Sequence, residues 1–249
     1  FEHPREADPW QHRRGEPRVF AFLWTMYLLI AVLGSLVWVT RSSVLASSAY
    51  GPAARIMLLV VLVGATLLWP MVRLSQLLPI ERAVPACFVD FLVIAIPVQV
   101  IVWPLIFLSG WPVDAVGAVA LVMLVWPALA GGMLALCQAI SERWPRSNAW
   151  RSLGPSFFMI VLVCLLLVGP AIVATRGSSD VHAAHGPIWA ASPLTHIYRL
   201  TGSGLGRPTM AVARIDWTML GIVASSALVF WFGAGLLARS GHEPEHRLD

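Results

Sequence analysis

Six stretches of this chain are apolar for long enough to cross a bilayer, and they decide what it can become. A helix rising 1.5 Å per residue needs roughly 20 apolar residues to span the hydrocarbon core. Such runs lie at Val19–Thr40, Ile56–Leu74, Ala86–Ser109, Ala115–Ile140, Phe157–Thr175 and Trp217–Ala238. Inside lipid each run must satisfy its own backbone N–H and C=O groups, which the helix does internally. The predicted class is therefore all-α: a polytopic membrane protein with six transmembrane helices. Residues 1–18 form a cytoplasmic N-terminal segment, residues 19–238 the six-helix transmembrane domain, and residues 239–249 a cytoplasmic C-tail.

Composition closes off other classes. Charged residues make up 12% of the 249 positions and apolar residues 58%. A soluble domain carries about 25% charged residues, so most of this surface faces something other than water. The formal charge of +4 is too diffuse for a polyanion patch, and no nucleic-acid partner is expected. All 17 basic residues are Arg, with no Lys anywhere. A phosphate loop ending in GK[ST] is therefore impossible, as is a retinal Schiff base. If ATP drives this protein, another polypeptide hydrolyses it.

The histidines, His3, His12, His182, His185, His196, His242 and His246, all fall outside the apolar runs. Axial haem ligands at matching depth on facing spans are thus missing, which speaks against a membrane cytochrome. Asp180, His182 and His185 carry metal-ligand chemistry, but the glycines around them favour a solvated loop. Cys87, Cys137 and Cys164 sit inside apolar runs without CxxC spacing and read as small apolar side chains. No catalytic residue, metal or cofactor is expected on this chain, and its apolar surface leaves room for bound lipids.

Arginine placement sets the orientation. With the N-terminus inside, the inner segments carry eleven arginines and the outer ones six, four of these in one long loop where charge counts little. Both termini are therefore expected in the cytoplasm of a bacterial inner membrane. Trp10, Arg13, Arg14, Arg18 and Phe20 suit an interfacial stretch or an ordinary basic flank. The long outer loop, residues 176–216, contains two amphipathic pieces, 187–190 and 193–200. Trp189, Pro193 and Tyr198 place these at the outer interface, where rings with a polar edge settle.

Few polar residues enter the spans. Asp90 near the start of the third span calls for a cationic partner, Arg73 or Arg82, or else serves a proton or substrate relay. Gln99, deeper in the same run, suits an interhelical hydrogen bond. Pro70, Pro97, Pro104, Pro127 and Pro170 predict kinked spans. The small-residue patches Ala128–Gly132 and Gly233–Gly235 permit close helix contact. No inverted repeat is visible.

The plan resembles that of the ABC-2 type permeases, the membrane subunits of ABC exporters. The run from Leu134 through Cys137, Gln138 and Ser141 to Arg143 is similar to the end of their fourth span. Ser192-Pro193-Leu194-Thr195 resembles the small-Pro-Leu stretch ahead of their last span. Arg18–Val39 and Arg55–Leu74 resemble the first two spans of permeases tied to multicopper-enzyme maturation. The resemblance implies an interfacial N-terminal helix, re-entrant helices between spans five and six, a separate ABC ATPase partner and a second permease copy or paralogue. Members carry an acidic-basic-Gly-Thr coupling stretch between spans two and three; here Ser75–Pro85 has no Gly-Thr. Gln76, Glu81 and Arg82 are what remains there to touch an ATPase. The alternative is a permease-like structural subunit of a larger respiratory or photosynthetic membrane complex.

Overall fold

Long apolar runs with little internal charge have one low-energy arrangement: helices whose side chains pack on one another inward and on lipid outward. The computed structural model describes residues 17–41, 47–75, 83–143, 148–176, 192–202 and 212–240. Every regular element among them is helical. These are α1 (Pro17–Arg41), α2 (Ser47–Val63), a π-helical segment (Gly64–Leu68), α3 (Trp69–Ser75), α4 (Ala83–Val102), α5 (Leu105–Leu108), α6 (Val113–Arg143), α7 (Asn148–Arg176), α8 (Pro193–Thr201) and α9 (Arg214–Ser240).

Five helical stretches are long and apolar enough to cross a membrane: Tyr50–Ser75, Val84–Leu108, Val113–Ser141, Leu153–Thr175 and Arg214–Arg239. The first expected span forms α1, whose apolar stretch among the described residues, Val19–Ser35, is shorter. Large apolar side chains point outward all round the bundle, with Ile30 66%, Phe107 87%, Ile160 61% and Phe232 70% exposed. A water-soluble monomer does not carry such a belt. The protein is embedded in a membrane.

The centre of the bundle is α6. It packs on α9, α4, α7 and α8, and 67% of its apolar window is buried against 17% for α9. Two glycines let neighbours approach it. A Cβ on Gly131 would meet the Trp69 ring at 2.6 Å, and one on Gly132 the Trp231 ring at 2.9 Å. Trp231 closes this contact by donating its indole N–H to the Ala128 carbonyl at 2.8 Å. The second patch behaves differently: Gly233 and Gly235 have open space where a side chain would go.

Proline effects vary with position. Pro97, Pro127 and Pro170 lie inside continuous helices, whereas the helix of α4 ends before Pro104 and restarts as α5. The π-helical segment has another cause. The Tyr27 hydroxyl of α1 donates to the Val60 carbonyl at 2.7 Å, and the Gly64 backbone bonds the same hydroxyl. A side chain thus enters the ladder between Val60 and Gly64, the kind of insertion that loosens an α-helix into a wider turn. Gly64 is needed for it, because a Cβ there would lie 2.4 Å from the Tyr27 ring. Gly64→Ala is therefore expected to cost about 1–3 kcal/mol in detergent unfolding. In a Tyr27→Ala background the same change is expected to cost under about 0.5 kcal/mol, because the two positions are coupled.

Candidate functional site

Two polar clusters interrupt the apolar interior, and the larger is built on α8. Ser192 is extended, at φ −124° and ψ 141°, and Pro193 follows at the first helical position, where a missing N–H and a fixed φ cost nothing. One face of α8 is apolar or small. Pro193, Thr195, His196, Ile197, Leu200 and Thr201 are buried, while Tyr198 is half exposed. The helix rests on α2, α6 and α7.

Polar groups hold it there. Ser192 donates its hydroxyl to the Leu166 carbonyl at 2.6 Å. Gly169 makes this approach possible, since a Cβ on it would stand 2.3 Å from the Thr195 hydroxyl. On the α2 side, Arg55 donates from Nε to the Thr201 hydroxyl at 2.9 Å and from Nη2 to the Thr201 carbonyl. The same guanidinium lies 5.0 Å from the centre of the Tyr198 ring, a cation–π contact.

On the α9 side stands Asp216, 1% exposed. Its Oδ2 accepts from the Ala213 N–H at 2.9 Å, capping the start of α9 as an acidic residue in a first turn does. Its Oδ1 lies 3.2 Å from Arg199 Nε and 3.7 Å from His196 Nε2. His196 is fully buried. Burial pushes its imidazole down to about 4, with Asp216 pulling upward and Arg199 adding to the depression. At neutral pH the ring is uncharged, and no solvent path reaches it for acid–base chemistry without movement of α8.

The second cluster lies on α4. Arg73 Nε is 3.3 Å from Asp90 Oδ2, with both side chains buried, so α3 and α4 are joined by an ion pair. One turn away, the Cys87 thiol donates to Gln138 Oε1 of α6 at 3.2 Å. Gln99 donates from Nε2 to the Ala120 carbonyl at 3.0 Å, a second link from α4 to α6. These contacts hold helices in register inside lipid, where interhelical bonds contribute roughly 0.6–2 kcal/mol each.

Of the residues singled out from sequence, Arg73, Asp90 and Gln99 are thus brought to the α3–α4–α6 contact, and Pro193 and Tyr198 to α8. Gln76, Glu81, Arg82 and Trp189 lie outside the described residues, as do Asp180, His182 and His185. Among the described residues no group of three His, Cys, Asp or Glu side chains is placed to hold a metal. Sequence reasoning missed the His196–Arg199–Asp216 cluster and the Arg55–Thr201 bond. A signal existed for the first: His196 and Arg199 stand three apart on one helical face, and Asp216 lies in the first turn of the next helix. No family model, curated protein or solved structure matches this chain.

Proposed function

We propose that this chain is the membrane-spanning permease subunit of an ATP-driven exporter of the ABC-2 type. In this reading α1, α2 with α3, α4 with α5, α6, α7 and α9 are six spans, and both termini lie in the cytoplasm of a bacterial inner membrane. A separate ATPase chain and a second permease copy complete the exporter. The observation that carries the reading is α8. A short helix between the last two spans, bonded to α7 through Ser192, to α2 through Arg55 and to α9 through Asp216, ties three spans to one rigid element. When an ATPase drives a tilt of the bundle, such a strap makes those spans move as a unit. Rigid-body movement of packed spans is one way a membrane protein switches between states.

One observation favours the second reading, a permease-like structural subunit of a larger membrane complex. Helix α3 ends at Ser75 and α4 begins at Ala83, and the Arg73–Asp90 pair clamps the two together. The stretch that joins them, Ser75–Pro85, lacks the Gly-Thr text of a coupling helix.

The test is to isolate the protein from its native membrane in mild detergent and identify the chains that remain bound. The exporter reading expects a stoichiometric partner with a Walker motif. Cytochrome, quinone-reactive or pigment-binding partners without an ATPase overturn it in favour of the structural subunit.

A further inference from the structure

An open groove of about 690 Å³ runs along the side of the bundle between α1, α2, α7 and α8. Leu59, Val63, Pro170, Val173 and Leu194 give it an almost wholly apolar lining, and Tyr198 stands at its α8 end. Its size is that of a site for a lipid-sized ligand rather than a packing defect. On α2 the lining runs from Leu59 to Val63, about 6 Å of helix at 1.5 Å per residue, and Arg55 stands one turn beyond it, reached through the Tyr198 ring.

The charge at its α8 end distinguishes it from ordinary lipid-facing surface. Within this bundle Arg73 is paired with Asp90 and Arg199 with Asp216. Arg55 is different: its bonds go to the neutral Thr201 and its face to Tyr198. No carboxylate lies within 4 Å of it among the described residues. A guanidinium inside a span is costly unless an anion meets it; its Nε–Nη2 edge is taken by Thr201, which leaves the Nη1 side of the fork to donate to a phosphate. The ring that carries this guanidinium is also a wall of the groove.

We propose that the groove binds an anionic phospholipid, its phosphate on Arg55 and one acyl chain laid along α2 toward Tyr27 and Val63. The apolar lining takes the chain, and Arg55, which meets no carboxylate among the described residues, takes the headgroup. The proposal is independent of the exporter reading and holds equally for a structural subunit.

The experiment is native mass spectrometry of the full chain in mild detergent micelles doped with phosphatidylglycerol or with phosphatidylcholine of the same acyl chains. The wild type is expected to retain phosphatidylglycerol about tenfold better, the scale of a charge-assisted contact. Arg55→Gln is expected to bring the two lipids to parity. Arg55→Lys and Thr201→Val, which keep the charge, are expected to preserve the preference. Ala174→Trp, which fills the groove wall, is expected to abolish retention of both lipids with the melting temperature unchanged. Where Arg55→Gln fails to fold, Ala174→Trp decides: unchanged retention overturns the proposal. Equal retention of the two lipids by the wild type also overturns it and leaves only bulk lipid. A lipid-free dimer that Ala174→Trp dissociates overturns it in favour of a second copy of this chain.

Discussion

Arg73→Leu is expected to lower the unfolding free energy by about 3–5 kcal/mol, and Asp90→Leu by a similar amount. The two side chains are 9% and 6% exposed and 3.3 Å apart. Removing either partner leaves a charge stranded in a low-dielectric interior, and that stranded charge, more than the lost attraction, sets the cost. The double variant Arg73→Leu/Asp90→Leu is therefore expected to recover most of the loss, because an apolar pair of similar volume removes both desolvation penalties. Detergent unfolding of the four proteins, followed by helix content, measures the cycle. Single variants within about 1 kcal/mol of the wild type would mean that water or headgroups screen the pair as at an exposed surface. The contact would then do little to hold α3 against α4.

The apolar runs were legible because length and lack of charge are local properties. Contacts between distant helices were not, and they account for the differences. Hydropathy starts the second span at Ile56, one residue after a charge, whereas the helix begins at Ser47. It continues through Arg55 because Thr201 and Tyr198, both from α8, accommodate the guanidinium. Likewise the π-helical segment depends on Tyr27 reaching across from α1, which no pattern within Gly64–Leu68 announces. For Asp90, charge balance in lipid demands a cation, and sequence alone offered Arg73 and Arg82; the three-dimensional path of α3 brings Arg73 alongside it. The amphipathic text of α8 was readable, but its seat was not. An outer interfacial segment and a helix wedged onto α7 at Gly169 share the same pattern, and the close approach at Gly169 distinguishes them.

Asp216→Ala is expected to be as damaging as loss of one member of the Arg73–Asp90 pair, and its acid dependence identifies why. The carboxylate holds two groups, the Ala213 N–H and the Arg199 guanidinium, and stands 3.7 Å from the uncharged His196 ring. Loss of the capping bond costs about 1 kcal/mol, and stranding Arg199 brings the total to roughly 3–5 kcal/mol. His196 supplies the pH signature. Its folded pKa of about 4 lies below the ordinary 6.5, so below that pH the unfolded chain binds a proton that the folded one refuses. Stability is then fully present above about pH 6.5 and falls as pH drops toward 4. Between pH 7 and pH 5 the wild type is expected to lose about 2 kcal/mol through this group. His196→Leu is expected to remove that part of the slope while leaving the contribution of every other titrating group in place. In Asp216→Ala the acid loss continues below pH 4 instead of levelling off there, because the one influence raising the imidazole pKa has gone. Denaturation at pH 7 and pH 5 for the wild type and His196→Leu reads the first effect, and carrying the series to pH 4 and below with Asp216→Ala reads the second. A wild-type curve no steeper than that of His196→Leu would mean that α8 opens enough for the ring to be protonated in the folded state, and the strap would then be a gate.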